Sequence, residues 1–129
     1  MMDIQPIKKF FKSYSYVKDS EAIQVEISTK CNAQCPSCIR TDNPSLFHTK
    51  SFIPKNKEMP LSVFEKLLDS KWSDKNLRHI EFCGTMDEPL MHSEFTQMIE
   101  MVYEKRPDIK LSIHTNGSVR NPDYFRWLG

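Results

Sequence analysis

The run Thr29-Lys30-Cys31-Asn32-Ala33-Gln34-Cys35-Pro36-Ser37-Cys38-Ile39-Arg40 sets three thiols within eight residues. It follows directly on residues 22–28, where Ile23, Val25 and Ile27 alternate with Gln24, Glu26 and Ser28, the two-residue period of a strand. Three crowded thiolates are the ligand set for a soft metal or an iron–sulfur cluster. A four-iron cube held by only three cysteines keeps one iron for another ligand.

The same alternation recurs twice downstream. Residues 77–83 set Ile80 and Phe82 against His79, Glu81 and Cys83, and residues 109–114 set Ile109, Leu111 and Ile113 against Lys110, Ser112 and His114. Helical stripes lie between them. Leu61, Phe64, Leu67 and Leu68 form the first, with Ser62 and Glu65 at capping-box spacing. Phe95, Met98, Ile99, Val102 and Tyr103 form the second, which Pro107 ends. Asn121 and Pro122 open a third helix as N-cap and first-turn proline.

Strand, loop and helix therefore follow one another three times, which predicts an α/β fold of parallel strands joined by right-handed crossovers. Buried parallel strands usually read as continuously apolar, yet each of these carries one polar face. A parallel sheet curved into a partial barrel accounts for that, with helices packed on the apolar face and polar residues lining a lumen. A half-exposed open sheet is the plain alternative. In barrels the chemistry sits on loops at the C-terminal ends of the strands, which is where the unusual residues of this chain fall. Residues 39–59, with Pro44 and Pro54, read as a long loop placed to cover such a site. Residues 1–20, with Phe10, Phe11, Tyr14 and Tyr16, read as an arm, either a docking helix or a partner-binding segment.

A length of 129 residues is one domain's worth of chain, and 18 Lys and Arg against 17 Asp and Glu point to neither nucleic acid nor a lipid surface as partner. No apolar stretch reaches membrane-span length, and no secretory signal is visible, so a cytoplasmic protein is expected. Disulfide stapling fits poorly with three clustered cysteines and a fourth, Cys83, in an apolar run.

The order cysteine, three residues, cysteine, two residues, cysteine resembles the signature of the radical S-adenosylmethionine (SAM) enzymes. Cys83-Gly84-Thr85-Met86-Asp87-Glu88-Pro89-Leu90 resembles that family's Gly-Glu-Pro segment after the second strand, and His114-Thr115-Asn116-Gly117 its Thr-Asn-Gly after the third. The resemblance covers residues 23–117. It implies the N-terminal half of a radical SAM core domain over residues 21–129, about three of six βα units of a partial barrel. A fragment of a longer enzyme, a half that pairs with a second half-barrel chain, and a reduced form that dimerises all remain open.

The resemblance implies that Cys31, Cys35 and Cys38 hold a [4Fe-4S] cluster whose fourth iron binds SAM. An electron from a donor such as flavodoxin or ferredoxin then cleaves SAM to a 5′-deoxyadenosyl radical, which abstracts hydrogen from an unknown small-molecule or peptide substrate. Pro36 and the short spacers suit a compact cube, and Asn32 with backbone amides suits hydrogen bonding to its sulfurs. By position Glu88 matches the carboxylate that meets the SAM ammonium. Gly84, Asp87, Thr115 and Asn116 fall at the other SAM-contact positions. Two departures stand out: Asp87 replaces the usual glycine before the glutamate, so it must turn away or displace the methionine end of SAM, and Ser37 replaces the usual aromatic residue.

Plainer readings stand beside these. A zinc-stabilised interaction module would complete three thiolates with His48, His92 or Cys83, and a degenerate half-barrel would bind the cluster without turnover. Cys83 reads as a buried inert thiol. His79 and His114 are either proton-transfer groups or simply hydrogen-bonded, Glu81 and Lys110 look like a lumen ion pair, and Arg40 meets a carboxylate or faces solvent.

Overall fold

The computed structural model describes residues 21–42 and 56–129, and the expected N-terminal arm, His48 and the middle of the long loop lie outside them. Three strands, β1 (Ala22–Val25), β2 (His79–Phe82) and β3 (Lys110–Ile113), form a parallel sheet in the order β1-β2-β3. Ile23, Ile80 and Leu111 stand side by side across it, as do Val25, Phe82 and Ile113. These rows make the apolar face.

Four of the five α-helices among the described residues pack on that face. α1 (Ile39–Asp42) is a single turn after the last clustered cysteine, α2 (Leu61–Leu68) and α3 (Lys71–Asn76) precede β2, α4 (Phe95–Lys105) precedes β3, and α5 (Pro122–Leu128) follows it. The helical stripes explain the core: Phe64 and Leu68 of α2 and Phe95, Met98, Ile99 and Val102 of α4 are buried with Ile80 and Phe82. Phe82 sits between two rings, 5.8 Å from Phe64 and 5.1 Å edge-on from Phe95. Burying each such side chain contributes about 1.5–3 kcal/mol. Tyr103, expected in the stripe, is 63 % exposed instead, because the apolar face of α4 ends at Val102.

Polar ties fix the helices. Lys105 of α4 reaches Glu65 at 2.7 Å and Asp69 at 3.0 Å, which locks α4 to α2. That contact displaces the expected capping box: Pro60 is the residue before α2, no side chain caps it, and Glu65 is turned to Lys105. Ser70, whose hydroxyl accepts from the Ser73 amide, starts α3, a helix the apolar pattern does not reveal. Asn121 caps α5 through Tyr124, with Pro122 in its first turn, as the sequence leads one to expect. Arg106 bonds the Leu77 carbonyl, the Ser73 hydroxyl and Asp108, joining α3, the start of β2 and the approach to β3.

The β1 ladder ends sooner than its alternation suggests, because the chain beyond Val25 takes other partners. Met59 N donates to Ile27 O at 2.7 Å and Thr29 N to Lys57 O at 2.9 Å, around an antiparallel bridge between Ser28 and Glu58. The predicted loop thus opens with a helical turn and closes along the edge of the β1 extension. Among the described residues, no helix is long and apolar enough to cross a membrane.

Candidate functional site

The C-terminal ends of β1, β2 and β3 lie side by side, and the three loops that leave them are cross-linked to one another. Cys31, Cys35 and Cys38 lie on the first loop as free thiols, Cys35 exposed and the other two half-buried. Cys38 N donates to Cys35 O at 3.2 Å, closing a turn whose Ser37 has φ 62°. This left-handed conformation is costly for a bulky side chain, which gives a local reason for a small residue at position 37. Cys38 then accepts at its carbonyl from Thr41 and Asp42, so the last thiol sits at the mouth of α1.

Arg40 holds this loop to the next. Its guanidinium donates to the Thr29 carbonyl at 2.6 Å and to the Met86 carbonyl, so it clamps two backbone segments. Glu88 N donates to Lys30 O at 2.8 Å, a second tie between the same loops. Sequence reasoning missed a third: Glu58 accepts from Lys30 Nζ, Ser93 N and Ser93 Oγ, each at 2.8 Å. Burial opposes its charge, but the hydrogen bonds from Lys30 and Ser93 outweigh that and hold Glu58 down at about 2. Its partners are 28 and 35 residues away, so no local pattern marks it.

Glu88 is only 2 % exposed. Its carboxylate accepts from Thr115 Oγ1 at 2.6 Å, Asn116 N at 2.7 Å and Leu90 N at 3.2 Å. Asn116 Nδ2 in turn donates to Asn32 Oδ1 at 2.9 Å, and Asn32 Nδ2 to Ser118 Oγ at 2.8 Å. Four residues singled out from separate motifs, Asn32, Glu88, Thr115 and Asn116, therefore form one network beside Cys31. Gly117 turns at φ 72°, and its amide donates to Thr115 Oγ1 at 3.0 Å.

Asp87 turns away from this network. Its Oδ2 accepts from the Ser28 and Ile27 amides at 3.0 and 3.2 Å, at the end of the β1 extension, and its buried Oδ1 has no hydrogen-bond partner. Burial pushes its carboxyl up to about 6, helped by the negative charge of Glu26 and of Glu88 and opposed by the two amides. The side chain is thus directed at the β1 extension.

The polar sheet face is cross-linked too. Gln24 Nε2 donates to Cys83 O, Thr85 N to Glu26 Oε1, and His79 Nε2 meets Ser112 Oγ, all at 2.8 Å. Glu81 pairs with His114 Nε2 at 2.7 Å, not with Lys110, which stands beside His79 in the register. Cys83 is half-buried rather than buried. His92 is fully buried with both ring nitrogens engaged: Nδ1 accepts from Glu94 N at 3.0 Å, so the proton rests on Nε2, which donates to Met59 O at 2.9 Å. No nitrogen is left to ligate a metal.

Among the described residues no three Cys, His, Asp or Glu side chains converge tightly enough to share one metal ion. A cube does not ask for that convergence, since each thiolate binds a different iron. Three reachable, unpaired thiols on one loop fit that donor set.

Compared with models of protein families, the chain matches none. It is 30 % identical over 104 residues to the GTP 3′,8-cyclase of Sulfurimonas denitrificans, over 79 % of this chain and 29 % of that protein. To the enzyme of the same name from a Sulfurovum species it is 30 % identical over 95 residues, 73 % of this chain and 26 % of the relative. For that of Nautilia profundicola the figures are 27 % over 111 residues, 86 % and 30 %. The chain thus spans less than a third of these curated relatives. The crystal structure of BtrN in complex with AdoMet and 2-DOIA superposes with a TM-score of 0.67 at 24 % identity, covering 84 % of this chain and 41 % of BtrN. The fold is therefore that of a partial α/β barrel, and the chain is related to the radical SAM enzymes.

Proposed function

We propose that this chain is the cluster- and SAM-binding half of a radical SAM enzyme, working in the cytoplasm. Cys31, Cys35 and Cys38 would hold a [4Fe-4S] cluster. With SAM bound and one electron from a donor such as flavodoxin or ferredoxin, that cluster would supply reductive cleavage of SAM into methionine and a 5′-deoxyadenosyl radical, for hydrogen abstraction from a small-molecule or peptide substrate. The observation that carries the reading is the joining of the three strand-end loops around the cysteines, through Lys30 to Glu88 and through Asn32 to Asn116 and Ser118.

In this reading the protein's work is positioning. Arg40 and Glu58 fix the loop that carries the thiols, and Ser37 sets its turn. Glu88, Gly84, Thr115 and Asn116 form the wall against which the amino-acid end of SAM is oriented, with Asp87 bracing that wall from behind. Glu88 would hold the SAM ammonium in exchange for one of its present donors, since the ammonium is a charged donor. The remaining wall of the lumen comes from a second half-barrel, in the same polypeptide or in a partner chain.

Anaerobic reconstitution tests the proposal. The expected result is a brown protein with about four irons and four sulfides that forms 5′-deoxyadenosine from SAM on reduction. Cys31→Ala, Cys35→Ala and Cys38→Ala each abolish the colour while the far-ultraviolet circular dichroism stays unchanged. A colourless protein holding one zinc would overturn the reading. A coloured protein that leaves SAM intact, alone and with its second half supplied, would reduce it to a cluster-binding scaffold.

A further inference from the structure

Beyond β3 the chain forms a cleft that none of the chemistry above uses. Gly117, Arg120, Pro122, Phe125 and Arg126 line about 550 Å³ of this open depression. Two of the five are cationic, two are apolar, and the fifth is a glycine with open space where a Cβ would stand.

Arg120 is the informative residue. Its guanidinium carbon lies 5.0 Å from the centre of the Tyr124 ring, which holds the cation against an aromatic face. Its Nε is buried with no hydrogen-bond partner. Among the described residues no carboxylate pairs with it, whereas Arg126 is engaged by Asp123. That N–H is closed off from solvent and therefore from a ligand as well; the terminal nitrogens of the guanidinium, which make no hydrogen bond or ion pair among the described residues, are the donors that a ligand in the cleft meets. The fork geometry of arginine matches the oxygens of a carboxylate or a phosphate. The case rests on side chains and not on the start of α5, where Asn121 already satisfies the Tyr124 amide.

We infer that this cleft binds the oxyanion end of a ligand whose apolar or aromatic body lies against Phe125 and Pro122, with Arg120 as its principal anchor and Arg126 as a second cation once released from Asp123. The cleft sits on the rim of the proposed SAM site, since Ser118, between Gly117 and Arg120, is bonded to Asn32 of the cysteine loop at 2.8 Å. The inference does not depend on a cluster being present.

Titration of the purified chain with phenyl phosphate, benzoate and sodium chloride at matched ionic strength tests it, followed by calorimetry and by the nitrogen-15 spectra of Gly117 and the Arg120 Nε. Saturable binding of an aromatic oxyanion is expected, weakened about ten-fold or more by Arg120→Gln and tightened by Asp123→Asn, an exposed change that leaves the fold intact. Tighter binding of phenyl phosphate identifies a phosphorylated ligand, and tighter binding of benzoate a carboxylate. Shifts no larger than those from chloride, or equal affinity in wild type and in Arg120→Gln, would overturn the assignment. Loss of iron binding in the cysteine variants leaves this titration unchanged, which separates the two proposals.

Discussion

A Cβ built on Gly84 would lie 1.6 Å from Oδ1 of Asp87, so the carboxylate fills the volume that any side chain at position 84 needs. The backbone nitrogen of Asp87, at 2.8 Å from the same point, closes off a simple side-chain escape. The glycine missing before Glu88 is thus matched by a glycine three residues earlier that makes room for its replacement. Gly84 is needed for space rather than for an unusual dihedral.

Gly84→Ala is expected to cost about 2–3 kcal/mol, the scale of overpacking at a site with backbone in the way. Asp87→Gly in the same chain should recover part of it, with a coupling of about 1 kcal/mol or more in the double-mutant cycle. Urea denaturation of the four proteins measures both quantities.

Asp87 also predicts a pH dependence. Its folded value of about 6 lies above the ordinary 3.8, so the folded state keeps a proton that the unfolded state releases. Stability from this group is therefore greatest below the ordinary value, declines as pH rises through the interval, and levels off above about 6. Asp87→Asn should flatten the melting temperature across that window. Glu58 and Asp108, both held at about 2, have the opposite sign: their contribution is full above the ordinary values of 4.5 and 3.8 and is lost progressively as pH falls from there to about 2.

Glu88→Ala removes the shared acceptor of Thr115, Asn116 and Leu90 from a buried position. A loss of about 2–4 kcal/mol is expected, since hydrogen bonds to a charged group are the stronger kind and their donors are left unsatisfied. Faster hydrogen exchange at the Asn116 amide would locate the damage. A neutral result would mean that the three strand-end loops hold together without this carboxylate.

The Glu81–His114 pair makes the contrasting case. Both side chains are partly solvated, at 36 % and 57 % exposure, so their 2.7 Å contact contributes about 1 kcal/mol or less. His114→Ala should leave the denaturation midpoint almost unmoved. A large loss would show that the polar face is structural and not a lining kept open for a ligand.

Local periodicity determined much of this molecule. Alternation at residues 22–28, 77–83 and 109–114 announced three strands, and the stripes from Leu61 and Phe95 announced the two helices that bury Phe82, because strand and helix periods are written in adjacent residues. The spacing of Cys31, Cys35 and Cys38, together with Asn121 and Pro122 at the start of α5, was equally local. Only the tertiary structure decided the rest. The turning of Asp87 toward the β1 extension, the enclosure of Glu88 by Thr115 and Asn116, the pairing of Glu81 with His114, the capture of Glu65 by Lys105 and the Arg40 clamp all join residues that sheet register and helix packing bring together. A side chain's partner depends on which strand ends meet, and that is fixed by the packed sheet rather than by any neighbouring residue.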